Sequence, residues 1–493
     1  MNKHSYGLYF SLLACLLLSL LYSPSFDLGM SDKAIFTYTG QAIAKGLVPY
    51  RDFFDHKPPL IFFINYAGTL LGGAWGLWVI NTLLAMVTTG AFFNCCRRHR
   101  LAWPWLLPLL LNLMLRDNLI SEGINMTREY GSWFIVLFFC VLVGTSRYRY
   151  FYLGLLTALV FFTQQDQVLS LLPFLVYALF TREEMPTGRR ALASAAGFAA
   201  ILLPTVLYFA LHRSLGFFWE DAFRFNLTVY TTQRKSLGDH FRTIKRVLDA
   251  GNYELPFMVA LGLGIVGLIR PNKKKGLIVA AFAAFLLSGS AEFMGGRFKG
   301  QAVAVDYYYY FIPLSAGICL LLFTFFAFPE KTTPADWTTL LPYTLLLCGS
   351  LTYTAVQHAT HLLRRDEDPV INSAELQYLR QHPPADYQLY VFENDDFIAA
   401  YNEFRILSPS RWIYQHFWNW YPDWDSDGRI LSSITEDLQR HHTTYVIMDP
   451  VNAATFRNRA NYHRWMDFLQ SHYQPVPMPG NKPSLLWQLK ANP

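Results

Sequence analysis

A segment near the N-terminus places an acid, a turn and a cation at spacings that could do chemistry. Asp32 follows the first long apolar run, a G-x-x-P-Y turn comes at residues 46–50, and Lys57 stands directly before Pro58-Pro59, where the pattern predicts a helix start. A carboxylate at a membrane surface can act as a general base on a hydroxyl group. A lysine beside a helix N-terminus makes an anion site, because the unpaired N–H groups and the ammonium favour the same ligand. Together they suit a reaction that expels a phosphate.

The chain that must position these residues has the composition of a helical membrane protein. Of its 493 residues, 53% are hydrophobic and 15% are charged, which is less charge than a soluble protein of this length usually carries. Lipid offers the backbone no hydrogen-bond partners, so each long apolar run can cross a membrane only as a helix. We predict about eleven transmembrane helices, near residues 6–22, 75–95, 102–115, 131–145, 151–163, 168–180, 191–211, 255–269, 277–290, 308–328 and 338–356.

The orientation of these helices follows from the short basic connections. We read the first run as a retained helix that starts in the cytoplasm, because no small-x-small cleavage site follows it. Counting spans from there places the short basic segments on the cytoplasmic side, as the positive-inside tendency requires. These segments are residues 97–100, 147–149, 182–190 and 270–275.

Three connections on the opposite side are long, at residues 23–74, 212–254 and 291–307, and long ordered loops are usually functional. In the first, Ile35, Phe36, Ile43 and Leu47 recur at helical spacing with polar residues between them, which predicts a helix lying along the membrane surface. Residues 58–73 are apolar but short, and they predict a re-entrant or interfacial helix. The polar break at residues 164–167 predicts only a short outer turn.

The sequence changes character near residue 360. Residues 1–360 form the predicted transmembrane domain, and residues 361–493 form a predicted extracytoplasmic domain of mixed composition. Helical patterns at 372–382, 430–440 and 462–472 alternate with buried strand patterns at 388–393 and 445–449, which predicts a small α/β fold. The expected fold class is therefore an α-helical polytopic membrane protein with a small soluble α/β domain.

Residues 31–60 resemble the GT-C glycosyltransferase families that are related to protein O-mannosyltransferases and to the aminoarabinose lipid A transferase. In those families an acid follows the first helix, and the loop continues through G-x-x-P-Y-x-D to K-P-P. The matching residues here are Asp32, Phe36, Gly46, Pro49, Tyr50, Asp52, Asp55, Lys57, Pro58 and Pro59. Residues 122–130 are similar to the family's N-x-T-E-x-Y loop. Gly295-Gly296-Arg297 resembles a later G-R segment, in which Asp306 stands where histidine is common.

The resemblance implies an inverting glycosyltransferase with an extracytoplasmic active site. Asp32 would be the base that deprotonates the acceptor hydroxyl, and Lys57 would hold the donor phosphate together with Arg297. Because phosphate is already a good leaving group, charge neutralisation could replace a general acid. The residues expected to orient the sugar or the acceptor are Asp55, Glu122, Glu129 and Tyr50.

The implied partners are a polyprenyl-phosphate-sugar donor, membrane lipids and a protein, lipid or glycan acceptor, with no nucleic acid. Some relatives use a divalent cation and others do not, and the sequence assigns no metal. The expected location is a bacterial inner membrane. Two alternatives stay open: a transporter or flippase of polyprenyl lipid or sugar-lipid, and an inactive lipid-binding scaffold of the same fold. Transporters usually carry charges at mid-membrane and internal repeats, whereas most charges here lie in the outer loops.

Overall fold

The computed structural model describes residues 3–24, 32–116, 124–230, 254–269, 273–289, 312–328, 372–413, 424–448, 459–478 and 484–491, with isolated residues between 238 and 360. Its N-terminal part is helical. The helices are α1 (Lys3–Leu20), α2 (Asp32–Ala44), α3 (Leu60–Leu70), α4 (Ala74–Arg98), α5 (Leu106–Leu115), α6 (Thr127–Leu142), α7 (Arg149–Thr163), α8 (Val168–Phe180), α9 (Thr187–Leu211), α10 (Leu215–Trp219), α11 (Glu254–Ile269), α12 (Lys275–Ser288) and α13 (Ile312–Ala327). A short 3₁₀ turn joins α7 to α8, and two π-helical turns, Glu220–Arg224 and Asn226–Tyr230, follow α10.

Helices occur at ten of the eleven runs that the hydropathy pattern predicts as spans. The eleventh run, residues 338–356, lies largely outside the described residues. Among the described helices, α4 and α9 are long and apolar enough to cross a membrane, and eight more are apolar but only 10–17 residues long. The helical class is therefore confirmed, and the number of membrane spans stays a prediction.

Helix α2, which begins at Asp32, is confirmed as a helix, but its buried residues are not confined to one face. Eight of its thirteen residues are buried, including Lys33 from the face expected to be polar. Helix α3 crosses it so closely that a Cβ on Gly40 would lie 2.5 Å from the carbonyl carbon of Asn65. This burial on several sides corrects the expectation of one buried face, because neighbours that the sequence does not reveal pack against the rest of the helix.

Where the structure describes them, connections predicted for the same side of the membrane lie together at one end of the helix bundle. At the basic end, the rings of His99 and Phe328 lie 4.9 Å apart and the Lys274 ammonium lies 5.7 Å from the Phe328 ring centroid. At the other end, the Gln165 side chain donates to the carbonyl of Ala222 at 2.9 Å. The predicted grouping of the connections agrees with the structure, and which end faces the cytoplasm stays a prediction.

The C-terminal part contains a four-stranded sheet with helices. Its elements are α14 (Ala374–Gln381), β1 (Leu389–Phe392), α15 (Ala399–Phe404), α16 (Arg429–Arg440), β2 (Tyr445–Met448), α17 (Arg459–His472), β3 (Tyr473–Pro475) and β4 (Leu486–Leu489). The strand order is β1-β2-β4-β3, with β1 and β2 parallel and the other two pairs antiparallel. The strand patterns predicted β1 and β2 but missed β3 and β4, which are short and only partly buried. The division into two domains stays a prediction.

Candidate functional site

The loop between α2 and α3 leaves α2 through a glycine turn. The N–H of Leu47 donates to the carbonyl of Ala42 at 3.0 Å, and the N–H of Gly46 donates to that of Ile43 at 2.9 Å. This pair of bonds is a Schellman motif, whose residue after the helix adopts a left-handed conformation. Gly46 has a φ of +92°, which only glycine adopts without strain. The glycine of the G-x-x-P-Y pattern therefore ends the helix that begins at Asp32.

Asp52 closes the next turn of this loop. Its carboxylate accepts from the N–H of Val48 at 2.7 Å, and its own N–H donates to the carbonyl of Val48 at 2.9 Å. Arg51 holds the same carboxylate with hydrogen bonds of 2.8 and 2.7 Å. The aspartate of the G-x-x-P-Y-x-D pattern thus has a structural role, because it fixes the path of the chain toward Lys57.

Tyr50 supports the loop from inside. Its φ is +67°, a conformation that costs a residue with a Cβ roughly 1–2 kcal/mol. The side chain is fully buried against the rings of Phe62, Phe209 and Phe218. Its hydroxyl donates to the main-chain carbonyl of Lys57 at 2.7 Å. Tyr50 was expected to orient sugar or acceptor, and the structure shows it positioning the Lys57 backbone.

Asp55 and Lys57 lie together in a buried part of the loop. The Asp55 carboxylate accepts from the N–H of Lys57 at 2.9 Å, and the two residues are only 5% and 8% exposed. Burial raises the pKa of Asp55 to about 6, the Lys57 ammonium opposes the rise, and the carboxylate of Asp32 adds to it. The loop therefore brings Asp32, Asp55 and Lys57 within electrostatic range of one another, as the sequence pattern predicts.

The polar break between α7 and α8 adds an ion pair that the sequence analysis missed. Arg128, at the start of α6, binds the Asp166 carboxylate at 2.6 Å. Burial would raise the pKa of Asp166, but Arg128 and then Lys57 hold it below its usual value. Asp166 therefore lies in range of Lys57 and is more than part of a turn. The signal available in the sequence was a run of four polar residues at 164–167 between two apolar helices.

A second missed pair joins the π-helical turns to the C-terminal part. Arg411 binds the Asp221 carboxylate at 2.5 Å, and the carbonyl of Arg411 accepts from the N–H of Phe54 at 2.7 Å. Burial raises the pKa of Asp221 to about 7, Arg411 opposes the rise, and Asp55 adds to it. Asp221 and Asp55 are thus within electrostatic range of each other. Neither residue of the Asp221–Arg411 pair stands in a motif, so the sequence offered no signal for it.

Glu129 occupies a different environment from the outer loop expected for it. Its side chain is fully buried in the first turn of α6 and binds the Arg116 guanidinium at 2.6 Å. A second guanidinium nitrogen of Arg116 donates to Asn81 at 2.6 Å. The other carboxylate oxygen of Glu129 accepts from the N–H of Asn125 at 3.1 Å. Glu129 therefore neutralises an internal arginine and fixes the backbone that leads into its own helix.

Two predicted site residues, Glu122 and Arg297, lie outside the described residues. Within the described ranges, no group of three or more histidine, cysteine or acidic side chains could hold a metal ion. The candidate site that the structure describes is thus formed by the Asp32, Asp55 and Lys57 cluster and the two ion pairs beside it.

The C-terminal part holds helix α2 directly. The Asn402 side chain donates to the carbonyl of Ala34 at 2.8 Å, two residues from Asp32. The N–H of Ser408 donates to the Tyr38 hydroxyl at 3.0 Å. Lys45, just after the end of the helix, forms an ion pair with Asp386 at 2.5 Å. The helix that begins at Asp32 is therefore positioned by residues more than 340 positions away in the chain.

A cleft opens beside this cluster, between the loop, the π-helical turns and the C-terminal part. Its volume is about 540 Å³. The lining residues are Phe54, Glu220, Asp221, Arg224, Phe225, Thr228, Val229, Arg411, Trp412, Trp424, Asp425, Arg429, Ile430 and Ser433. Phe54 precedes Asp55 in the chain and Asp221 lies within electrostatic range of Asp55, so the cleft adjoins the acidic side of the candidate site.

Comparison with known proteins shows a likeness of structure without a likeness of sequence. No protein-family model matches the chain, and no curated protein matches it. ArnT from Cupriavidus metallidurans bound to undecaprenyl phosphate aligns with a TM-score of 0.62 and 12% identity, over 97% of this chain and 98% of that one. Its apo state aligns with a TM-score of 0.59 and 13% identity, over 98% of both chains.

An oligosaccharyltransferase of Archaeoglobus fulgidus tethered with an acceptor peptide aligns with a TM-score of only 0.46 and 12% identity, over 96% of this chain and 72% of that one. ArnT is an aminoarabinose lipid A transferase of the GT-C superfamily. At 12–13% identity its likeness establishes the fold. The chain therefore shares the fold of ArnT, in agreement with the resemblance of residues 31–60.

Proposed function

We propose that the protein is a multi-pass membrane glycosyltransferase that moves a sugar, with inversion, from a polyprenyl-phosphate donor to a hydroxyl of a protein, lipid or glycan acceptor. The fold supports this proposal, since one ArnT structure with that fold is bound to undecaprenyl phosphate. The observation that carries it is that the buried loop residues Asp55 and Lys57 lie within electrostatic range of Asp32, at the start of helix α2. A base and an anion site are the two parts that the reaction needs.

In the proposed reaction the acceptor oxygen bonds to the anomeric carbon of the donor sugar while the bond from that carbon to the phosphate oxygen breaks. The hydroxyl proton passes to the carboxylate of Asp32, and polyprenyl phosphate leaves. Lys57 binds the phosphate and compensates the charge that develops on it, with Arg297 as a second cation. Charge stabilisation of this kind is often the largest single contribution to catalysis. A single displacement inverts the anomeric carbon.

The remaining predicted residues take supporting roles in this proposal. Tyr50 and Asp55 hold the Lys57 backbone through a hydroxyl and a carboxylate contact. Glu129 stabilises the interior through Arg116. Glu122 keeps its proposed role of orienting the sugar or the acceptor. We also propose that the site faces the periplasm of a bacterial inner membrane, since the basic connections gather at the other end of the bundle.

Donor consumption in purified, detergent-solubilised protein tests the assignment. Wild type, Asp32→Asn and Lys57→Gln receive a panel of radiolabelled polyprenyl-phosphate sugars, and release of free polyprenyl phosphate is measured. Asp467→Asn and Lys275→Gln are matched controls, because both residues are exposed helical positions outside the site. We expect the controls to keep wild-type rates. Asp32→Asn should lose at least a hundredfold in rate, since a positioned base typically contributes 10²–10⁴-fold.

The two site variants should fail differently. Loss of Lys57 weakens donor binding, so its rate recovers partly at high donor concentration, whereas loss of the base at Asp32 is not overcome by donor. Equal transfer by wild type and Asp32→Asn would refute the base assignment. Donor movement across vesicles without any release of polyprenyl phosphate, unaffected by Asp32→Asn, would favour the transporter alternative.

A further inference from the structure

The cleft beside the candidate site has a size suited to a small ligand. Its volume of about 540 Å³ falls within the range of roughly 300–1,000 Å³ that is usual for small-molecule sites. Four separate segments contribute to it: the loop at Phe54, the π-helical turns, residues 411–412, and residues 424–433 at the start of α16. A ligand there would contact Phe54, which precedes Asp55 in the chain, and Asp221, whose pKa the Asp55 carboxylate raises, so the cleft adjoins the acidic side of the candidate site.

One part of the lining is an aromatic cluster. The ring of Phe54 lies 5.0 Å from that of Trp412 and 5.4 Å from that of Trp424, and Trp424 lies 4.9 Å from Phe225. The two indole rings are 5.6 Å apart at an interplanar angle of 76°. Both tryptophans are only half-buried. Aromatic faces carry negative charge density, which attracts the polarised C–H groups on one face of a sugar ring.

The charged part of the lining is balanced. Three arginines and three acids face the cleft, and the guanidinium groups are already paired. Arg411 binds Asp221 at 2.5 Å, Arg224 binds Glu220 at 2.9 Å, and Arg429 binds Asp427, just outside the lining, at 2.5 Å.

This balance of charge favours ligands with neutral hydroxyl groups over anions. A guanidinium has five N–H donors and a carboxylate has about four acceptor positions, so groups paired in this way can still bind hydroxyls. A phosphate or another anion would instead have to compete with the acids that the arginines already bind.

We propose that this cleft binds an uncharged sugar ring, with Trp412 and Trp424 stacking on its apolar face and the paired charges binding its hydroxyls. The proposal names the substrate class for one side of the site, and as a part of the transfer reaction it rests on the proposed function. The ring belongs either to the donor sugar or to a glycan acceptor, which share this chemistry.

Ligand binding to full-length Asp32→Asn protein in detergent tests the proposal apart from catalysis. Tryptophan fluorescence and saturation-transfer NMR would be recorded with the methyl glycosides of glucose, mannose, galactose and N-acetylglucosamine, and with glucuronate and inorganic phosphate. We expect saturable binding of at least one neutral glycoside, with anions at least tenfold weaker. This protein lacks the proposed base, so the assay measures binding alone. Its result therefore does not depend on whether the proposed transfer reaction is correct.

Substitution of Trp424 locates the binding. Trp424→Ala in the same Asp32→Asn protein should weaken glycoside binding at least tenfold, Trp424→Phe should restore part of it, and Trp103→Ala at the basic end should have no effect. In otherwise wild-type protein, Trp424→Ala should raise the KM of one substrate with little change in kcat. A raised donor KM assigns the ring to the donor, and a raised acceptor KM assigns it to the acceptor.

Three results would overturn the proposal. They are the absence of saturable binding by any neutral glycoside, equal binding by Trp424→Ala and its parent, and binding of phosphate or glucuronate as tight as that of the glycosides. Trp424→Phe also guards against misfolding, since an aromatic ring of similar shape keeps the contacts to Phe54 and Phe225.

Discussion

Removal of the Tyr50 hydroxyl isolates one contact behind the candidate phosphate site. Tyr50→Phe deletes the donor to the Lys57 carbonyl, a hydrogen bond of 2.7 Å. The ring contacts to Phe62, Phe209 and Phe218 stay in place. The left-handed backbone at this position has the same strain in both variants. The difference between the two proteins is therefore a single buried hydrogen bond.

The size of the effect follows from burial. A buried acceptor that loses its donor costs roughly 1–3 kcal/mol, and each 1.4 kcal/mol corresponds to about a tenfold change in rate or affinity. If the lost hydrogen bond shifts Lys57, so that this free energy is lost from the transition state, we expect kcat/KM to fall roughly 5- to 150-fold. The loss should appear mainly as a raised KM for the donor, because Lys57 is proposed to bind the donor phosphate.

The assay is release of polyprenyl phosphate as a function of donor concentration, with thermal unfolding of the same samples in detergent. Tyr148→Phe is the matched control, since Tyr148 is 55% exposed at the basic end. In a double-mutant cycle, Tyr50→Phe should add little to Lys57→Gln, because both act through one group. Wild-type kinetics for Tyr50→Phe would refute the reasoning, and so would full additivity with Lys57→Gln.

Three further predictions concern stability and positioning. Glu129→Ala leaves Arg116 unpaired in the interior, which costs roughly 3–5 kcal/mol, so the yield of folded protein should collapse and Arg116→Met/Glu129→Leu should restore it. Burial raises the pKa of Asp55 to about 6, so its stabilising contribution is full below about pH 4 and is lost as the pH rises to 6. The unfolding temperature of Asp55→Asn minus that of wild type should therefore increase as the pH rises from 4.5 to 7.5. Asn402→Ala removes the contact to α2 and should lower kcat roughly three- to tenfold, by about 1 kcal/mol, with the donor KM unchanged.

Each of these predictions has an outcome that would contradict it. Normal yield of Glu129→Ala would mean that Arg116 finds another partner. A constant difference in thermal midpoint across the pH range would show that the pKa of Asp55 is not raised. For Asn402→Ala, a raised donor KM with unchanged kcat would place the effect on Lys57 rather than on the helix of Asp32, and Asn402→Asp should not rescue the rate because a carboxylate cannot donate.

Much of the local structure follows from local sequence. Within the described residues, the apolar runs of more than ten residues form helices, because a helix satisfies its backbone within the segment. The loop at residues 45–59 also follows from its own residues, since Gly46, Asp52 and Asp55 form their turns with neighbours two to five positions away. For this reason Asp55 and Lys57, which are two positions apart, lie together, and their roles in the reaction stay a prediction. The strands β1 and β2 were predictable because their residues are continuously buried.

Tertiary structure alone decided which charges face one another. Arg411 meets Asp221 across 190 positions, and Asn402 reaches Ala34 across 368. Arg116 and Glu129 are only 13 positions apart, but their pairing depends on how α5 and α6 pack with α4. The hydrophobic periodicity of the sequence does not predict such contacts, because an isolated acid or arginine has the same local pattern whether it is solvated or paired. The pairing is decided by burial, since a charge removed from water is stable only beside its partner.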